Sequence, residues 1–349
     1  MKYYKVSFNR AFEKCKRLKI VEFPKNADWT HKIVSFIETF YFLPSIETVI
    51  LPKNLNKLKS IYGICNSCKK LTSFIIVQAP KLRRMTSSFS DCSELEEFII
   101  PESLSFCNTS KTKEKTIGGR SRTETIERPT VFSCMFQNST KLRNVEFRCR
   151  ILGDVAFVAT FHNCPNLETV SFPGCDCNTN DLRKNNPNAL YSCYAKSLES
   201  IYSGCTKLRE FSLPKNIDIG HLESMNEMCY NCSSLIEVDL SFQKYVITNN
   251  AIRVFMNCRS LQRVIFPYNF RIKIDGLEIF EGCQNLRYIK GTWLEFQSDY
   301  HFTTGNFDGC PLLEAASSKN SLEIIKNYNN GTSFQVVRFL GEFQWQRRD

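Results

Sequence analysis

The side chains of this 349-residue chain best suited to metal binding or redox exchange are its 17 cysteines; histidine occurs only four times. Two Cys-x-x-Cys pairs, Cys65/Cys68 and Cys229/Cys232, have the spacing of half a zinc site or of a dithiol redox motif. Cys175, Cys177 and Cys193 add three thiols that could hold a soft metal, with no second Cys-x-x-Cys beside them. His31, His162, His221 and His301 stand in unrelated contexts, His162 on what reads as an exposed turn. Gly-x-Ser-x-Gly, His-Glu-x-x-His and a phosphate-cradling Gly-Lys-Ser/Thr are all missing from the sequence. A catalytic dyad needs two groups within hydrogen-bond reach, and no spacing here supplies one. Neither enzyme chemistry nor a cofactor or metal is expected.

The elements that position these cysteines explain most of them. Aligned on aromatic-x-x-Cys-x-x-Leu, seven units share one template: Phe12/Cys15/Leu18, Phe89/Cys92/Leu95, Phe161/Cys164/Leu167, Tyr202/Cys205/Leu208, Phe255/Cys258/Leu261, Phe280/Cys283/Leu286 and Phe307/Cys310/Leu313. Phe40/Leu43/Ile46, Cys65/Cys68/Leu71, Phe136/Ser139/Leu142 and Cys229/Cys232/Leu235 are looser copies, which makes eleven units with most steps between 24 and 28 residues. Both Cys-x-x-Cys pairs arise where Cys replaces the aromatic. Nine of the 17 cysteines occupy the central anchor position, where Leu43 and Ser139 substitute, so the anchor reads as a small buried site.

After each leucine the chain continues x-x-apolar-x-apolar, as in Val21 and Phe23 or Phe211 and Leu213, the period of a short strand with two inward side chains. Pro24, Pro52, Pro101, Pro173, Pro214 and Pro267 follow directly and end the pairing, since proline donates nothing to a ladder. Asn26, Asn54, Asn216 and Asn269, with Cys175, come next as polar loop residues able to bond exposed backbone. Seven residues before the anchor runs another apolar column, Phe8, Phe36, Ile61, Met85, Phe132, Phe157, Leu198 and Met225, expected to face the same core from the opposite wall. One such unit cannot close a core; stacked units can.

Leu95–Pro101, Leu208–Pro214 and Leu261–Pro267, with aromatic-x-x-Cys at Phe255–Cys258 and Phe280–Cys283, resemble the unit of the BspA-type leucine-rich repeats found in surface proteins of bacteria and protists. The expected architecture is therefore an α/β-type solenoid, a leucine-rich repeat array of about eleven units over residues 1–316 with a parallel concave sheet. Insertions at about 102–130 and 174–195 interrupt it, and 317–349 is expected to form a C-terminal cap. The Lys-, Thr-, Ser-, Gly- and Arg-rich 102–130 reads as a flexible excursion. Phe8 and Phe12 already sit in core columns, so the first unit's apolar edge is expected to be bare and available for association.

The outward residues of the strands then line up. One column reads Glu22, Ile50, Ile75, Ile99, Glu146, Ser171, Ser212, Asp239, Ile265, Lys290; its neighbour includes Glu210, Glu237 and Arg263. Ile50, Ile75 and Ile99 form a candidate apolar contact stripe, bordered by acidic Glu210, Glu237 and Asp239 and then by basic Arg263 and Lys290. Equally, they are ordinary β-branched strand residues, or the first insertion folds over them.

Function follows the resemblance: it implies protein–protein recognition by a surface antigen or adhesin that contacts host or matrix proteins. Competing with that is an intracellular scaffold or regulatory subunit, which many free thiols and a basic first 20 residues without a secretory apolar block would suit. The net charge of +11, from 46 basic and 35 acidic residues, allows a third class, anionic polymer or lipid, although acids and bases are mixed and no nucleic-acid signature is present. No apolar run approaches the roughly 18 residues of a membrane helix. Sequons at Asn108, Asn138, Asn231 and Asn330 bear on the compartment.

Overall fold

The computed structural model describes residues 4–24, 29, 30, 32–104, 106, 107, 111–117, 120–126, 130–175, 193–267, 269–291, 294–296, 309, 310, 315, 316 and 343–345. Two inward residues per unit, alternating with outward ones, build the first wall of a solenoid. Ile20–Glu22, Thr48–Ile50 and Ser73–Ile75 pair in parallel, with Val21, Val49 and Phe74 in register. Glu97–Ile100, Asn144–Phe147 and Thr169–Ser171 continue it, aligning Phe98, Val145 and Val170. Glu237–Asp239, Arg263–Ile265 and Tyr288–Gly291 extend it further, with Val238, Val264 and Ile289 aligned. The strands stop before the prolines that follow them, as the missing donor requires.

The opposite wall is also made of strands. Tyr4–Ser7 pairs with Lys32–Ser35; Thr130–Val131, Ile151–Ala156 and Cys193–Ala195 pair in succession; His221–Ser224, Tyr245–Asn250, Asn269–Asp275 and Leu294–Phe296 do the same, all in parallel. Alternation is the reason: in Ile151–Ala156, Ile151, Gly153 and Val155 are buried while their neighbours are half exposed. Among the described residues the sole helical element is the short 3-10 turn Pro173–Cys175. The leucine-rich repeat solenoid and its parallel sheet stand as expected, but the outer wall is strand in place of helix, and the array makes about nine turns where eleven units were counted. Nine successive anchors, Leu43 through Cys283, are fully buried, whereas Cys15 is exposed.

Between the walls runs a tight turn that every coil repeats. From the coil of Leu43 to that of Cys283 two residues per coil take positive φ in this turn, and the first coil has Arg10 alone. One lies five places before the anchor (Glu38, Ser87, Ala159, Arg253; φ 50–54°) and one directly before it (Asn138, Asn163, Asn231, Asn257; φ 57–62°). Left-handed backbone favours Asn and Gly, which accounts for the Asn, Asp or Gly preceding most anchors. Aromatic rings of successive turns then stack, as with Phe136 on Phe161 at 5.7 Å and Phe161 on Tyr202 at 5.3 Å. The aromatic column and the leucines fill one continuous core.

In the first insertion, Lys111–Ile117 and Arg120–Ile126 form an antiparallel hairpin where composition suggested a flexible excursion. Its register aligns Thr112 with Thr125 and Lys113 with Glu124. Its flanks rejoin the outer wall, Phe106–Cys107 and Thr130–Val131 both pairing with Ile151–Ala156. Near the C-terminus, Phe343–Trp345 pairs antiparallel with Tyr288–Gly291 and with Ala315–Ala316.

Candidate functional site

The reactive-looking side chains are structural. From Cys68 onward each anchor thiol points back into the preceding coil and donates to the carbonyl at its aromatic position: Cys68 to Phe40 (2.9 Å), Cys92 to Cys65 (3.2 Å), Cys164 to Phe136 (3.0 Å), Cys232 to Tyr202 (3.0 Å) and Cys258 to Cys229 (2.9 Å). Ser139, at the same position, donates its hydroxyl to Phe89 O at 2.8 Å. Burial pushes the thiols of Cys92, Cys205 and Cys258 well above their ordinary range and Cys164 up to about 12. They are therefore protonated donors at neutral pH and poor nucleophiles.

Both Cys-x-x-Cys pairs belong to this ladder. Of the third thiol group, Cys177 lies outside the described residues; Cys175 is buried 3.8 Å from the Cys149 carbonyl, and Cys193 approaches Asn216 Oδ1 at 3.8 Å. Among the described residues no group of three His, Cys, Asp or Glu side chains is placed to hold a metal ion. Asn216 does what its loop position suggested, donating to the Ile151 carbonyl at 3.0 Å. His162 is half-buried, not exposed as its turn suggested, because its turn packs between neighbouring coils; its Nδ1 is shielded without a hydrogen-bond partner. His221 is exposed with Nε2 3.3 Å from the Tyr245 hydroxyl, and His31 and His301 lie outside the described residues.

What remains for function is the outward face of the first sheet. Ile50 and Ile75 sit opposite each other on paired strands, Ile50 half-buried and Ile75 42% exposed; Ile99, 49% exposed, follows on the next coil and pairs onward with Glu146. Ile20, at 61% exposure, stands at the start of the same face, outside the predicted stripe. The acidic border is not uniform. Glu210 aligns with Glu237, but Glu237 is 3.5 Å from the Arg263 guanidinium, which also lies 5.0 Å over the Tyr288 ring. Asp239 Oδ1 accepts from the Ser241 amide at 2.8 Å and so closes its own turn. The Lys290 backbone pairs with Ile265, and its side chain lies outside the description.

The sequons divide in the same way. Asn138 donates Nδ2 to Asp91 Oδ1 at 3.1 Å and accepts from Asn163 Nδ2 at 2.9 Å, so it is a rung between coils. Asn231 shares its left-handed position, and Asn108 and Asn330 lie outside the described residues. Sequence reasoning missed the thiol ladder and the outer sheet. The asparagines and glycines before the anchors were the signal for the turn.

Among the described residues no helix is long and apolar enough to cross a membrane. The chain matches the family described as BspA type leucine rich repeat region, in six copies over residues 8–114, 196–314 and 225–339. It is similar to a leucine-rich repeat protein from Bacteroides ovatus ATCC 8483, at 14% identity over 82% of each chain with a TM-score of 0.25. A leucine rich cell surface protein from Faecalibacterium prausnitzii A2-165 aligns at 15% identity over 84% of this chain and 83% of that one, with a TM-score of 0.28. No curated protein sequence matches.

Proposed function

The chain belongs to the BspA-type leucine-rich repeat family, and on that premise we propose that it is a recognition scaffold that binds a protein partner, without catalysing a reaction, through the outward face of its first sheet. The observation that carries this is the solvent exposure of Ile75 and Ile99 beside Ile50, on strands whose inward residues are committed to the core. Exposed apolar side chains that recur across neighbouring strands mark interaction surfaces. Glu210, Glu237, Asp239, Arg263 and Lys290 would then form the polar end of the contact, where charge sets orientation more than affinity.

Family resemblance favours a surface antigen or adhesin with a host or matrix protein as partner. A second reading, an intracellular scaffold, is favoured by the free thiols of the anchor column, such as Cys68, Cys92, Cys164, Cys205, Cys232 and Cys258, a pattern that suits a reducing compartment.

Biotinylation of intact cells that produce the chain separates the two: labelling without lysis supports the adhesin, and labelling only after lysis supports the scaffold. A photo-reactive residue at Ser73, beside the stripe, should cross-link the same partner as one at Glu97. The reading fails if both positions capture no protein, or if Ile75→Lys leaves the cross-link undiminished.

A further inference from the structure

The first sheet parts at two places, between Ser73–Ile75 and Glu97–Ile100 and again after Thr169–Ser171, and at the second a cavity opens. Thr169–Ser171 pairs with Asn144–Phe147 on one side, and Glu210 bridges Glu237 on the other, yet among the described residues no backbone hydrogen bond joins 168–172 to 209–213. Elsewhere the residue four past the anchor donates its amide to its counterpart one coil back: Glu168 to Arg143 O (2.8 Å), Ile236 to Arg209 O (3.2 Å), Gln262 to Ile236 O (2.8 Å), Arg287 to Gln262 O (3.0 Å). The bonds from Arg209 to Glu168 and from Glu96 to Thr72 are the two this run lacks.

Side chains tell the same story. In the same column of an intact pair of coils Lys19 and Glu47 lie 3.4 Å apart, whereas Glu168 and Arg209 form no ion pair, nor do Lys207 and Glu210. The coils are still joined at their turns, where Cys205 Sγ donates to Phe161 O at 3.1 Å and the Lys207 amide to Pro165 O at 3.2 Å. The gap is thus a wedge, closed at the anchors and open at the strands, with a volume of about 860 Å³. Tyr202 fits this opening: it is the aromatic column's one tyrosine, and its buried hydroxyl donates to the Ser212 carbonyl at 2.7 Å, where a neighbouring strand would otherwise lie.

We propose that this wedge receives an extended peptide segment of a partner protein, added as a strand along the free edge of Thr169–Ser171. The inference rests on the recognition reading above and gives it a second contact, which meets the first at Glu210. A strand supplies the alternating N–H and C=O groups the open edge lacks, at about 3.3 Å per residue. The lining carries two acids, Glu168 and Glu210, and two bases, Lys207 and Arg209, with no partner among the described residues. A peptide with neighbouring basic and acidic side chains answers both signs, which an apolar or singly charged small molecule cannot. The volume lies within the range of about 300–1,000 Å³ usual for occupied sites.

The test uses the full chain as bait for random linear peptides of about a dozen residues displayed on phage, and the selected sequences as synthetic probes. Expected are peptides carrying both charge signs, whose affinity falls at least about tenfold on Arg209→Glu or Glu210→Arg, with unchanged melting temperature. N-methylating the peptide's amides one by one should weaken binding at alternate positions only, because a strand presents every second amide to one neighbour. Binding indifferent to the two charge reversals, N-methyl effects without that alternation, or the selection of no peptide would each overturn the proposal. Ile75→Lys should leave these peptides bound. A partner that Ile75→Lys releases, found alongside failure of the peptides, would sink the wedge and spare the recognition reading.

Discussion

The thiol of Cys205 donates to the carbonyl of Phe161 at 3.1 Å and ties the anchor of one coil to the aromatic turn of the coil before it. Both partners are fully buried. The column of cysteines is therefore a line of hydrogen-bond donors inside the core, and replacing it changes polarity as well as volume.

Cys205→Ser should lose about 1 kcal/mol or less, since Ser139 already makes the equivalent bond at 2.8 Å. Cys205→Asp places an unpaired carboxylate in the core and should cost about 3–5 kcal/mol. Urea midpoints compare the two. Equal midpoints would mean that Cys205 is not where the register puts it.

Stability should fall on the alkaline side. Burial holds the Cys92, Cys164, Cys205 and Cys258 thiols above the ordinary value of 9.0, so the folded state keeps protons that the unfolded chain gives up. The stabilisation is complete below pH about 9 and declines above it by about 1.4 kcal/mol per pH unit for each such thiol, until the folded pKa is passed. Denaturant titrations between pH 8 and 10.5, roughly the window those shifts define, would read the slope. A flat profile would contradict the buried thiols.

Gly282 has φ +73°, and a Cβ there would stand 2.6 Å from Asn257 Oδ1 in the preceding coil. Gly282→Ala should cost about 1–2 kcal/mol from the backbone alone, with the clash added. Combining it with Asn257→Gly removes the clash and leaves the backbone cost. Thermal melts of the two single variants and the double variant should show that coupling; strict additivity would contradict the contact.

Asn138 should remain unglycosylated even if the chain is routed through a eukaryotic secretory pathway. Its Nδ2, the atom a glycan would take, is held by Asp91, and its Oδ1 by Asn163. Peptide mass mapping with and without N-glycanase settles occupancy. A glycan on Asn138 in folded protein would show that this rung opens.

Ile75→Lys should move the melting temperature little, because the side chain it replaces already stands 42% in solvent and the backbone stays paired. Scanning calorimetry checks this. A drop of several degrees would mean that the stripe is covered and has a packing role.

The repeat, the inward pairs and the proline stops were legible because each rests on a period that side-chain chemistry imposes: Val49 and Leu51 must alternate with Thr48 and Ile50 to bury one face. The outer wall was less so. Its strands alternate too, as in Val246 and Thr248 of Tyr245–Asn250, but a buried threonine breaks the apolar pattern that a reader follows. The anchor cysteines read as small hydrophobes, since a thiol's role as donor depends on a carbonyl 28 to 30 residues earlier, as for Cys283 and Phe255 or Cys232 and Tyr202. The outward stripe was placed by register alone. Unpaired edges such as that of Thr169–Ser171 leave no mark in the local sequence, because pairing depends on how two coils sit against each other and not on the residues of either strand.

Strands on both walls also give the molecule a mechanical character. The bonds between coils run along the stacking direction, so tension applied at the chain ends falls on the few bonds of the outermost coil, not on all of them together in shear. Such an array behaves as a zipper under load. Each coil that lets go releases roughly 80 Å of chain at about 3.3 Å per residue, while the coils behind it keep their shape. Tethered between two bodies that drift apart, it would pay out length in steps.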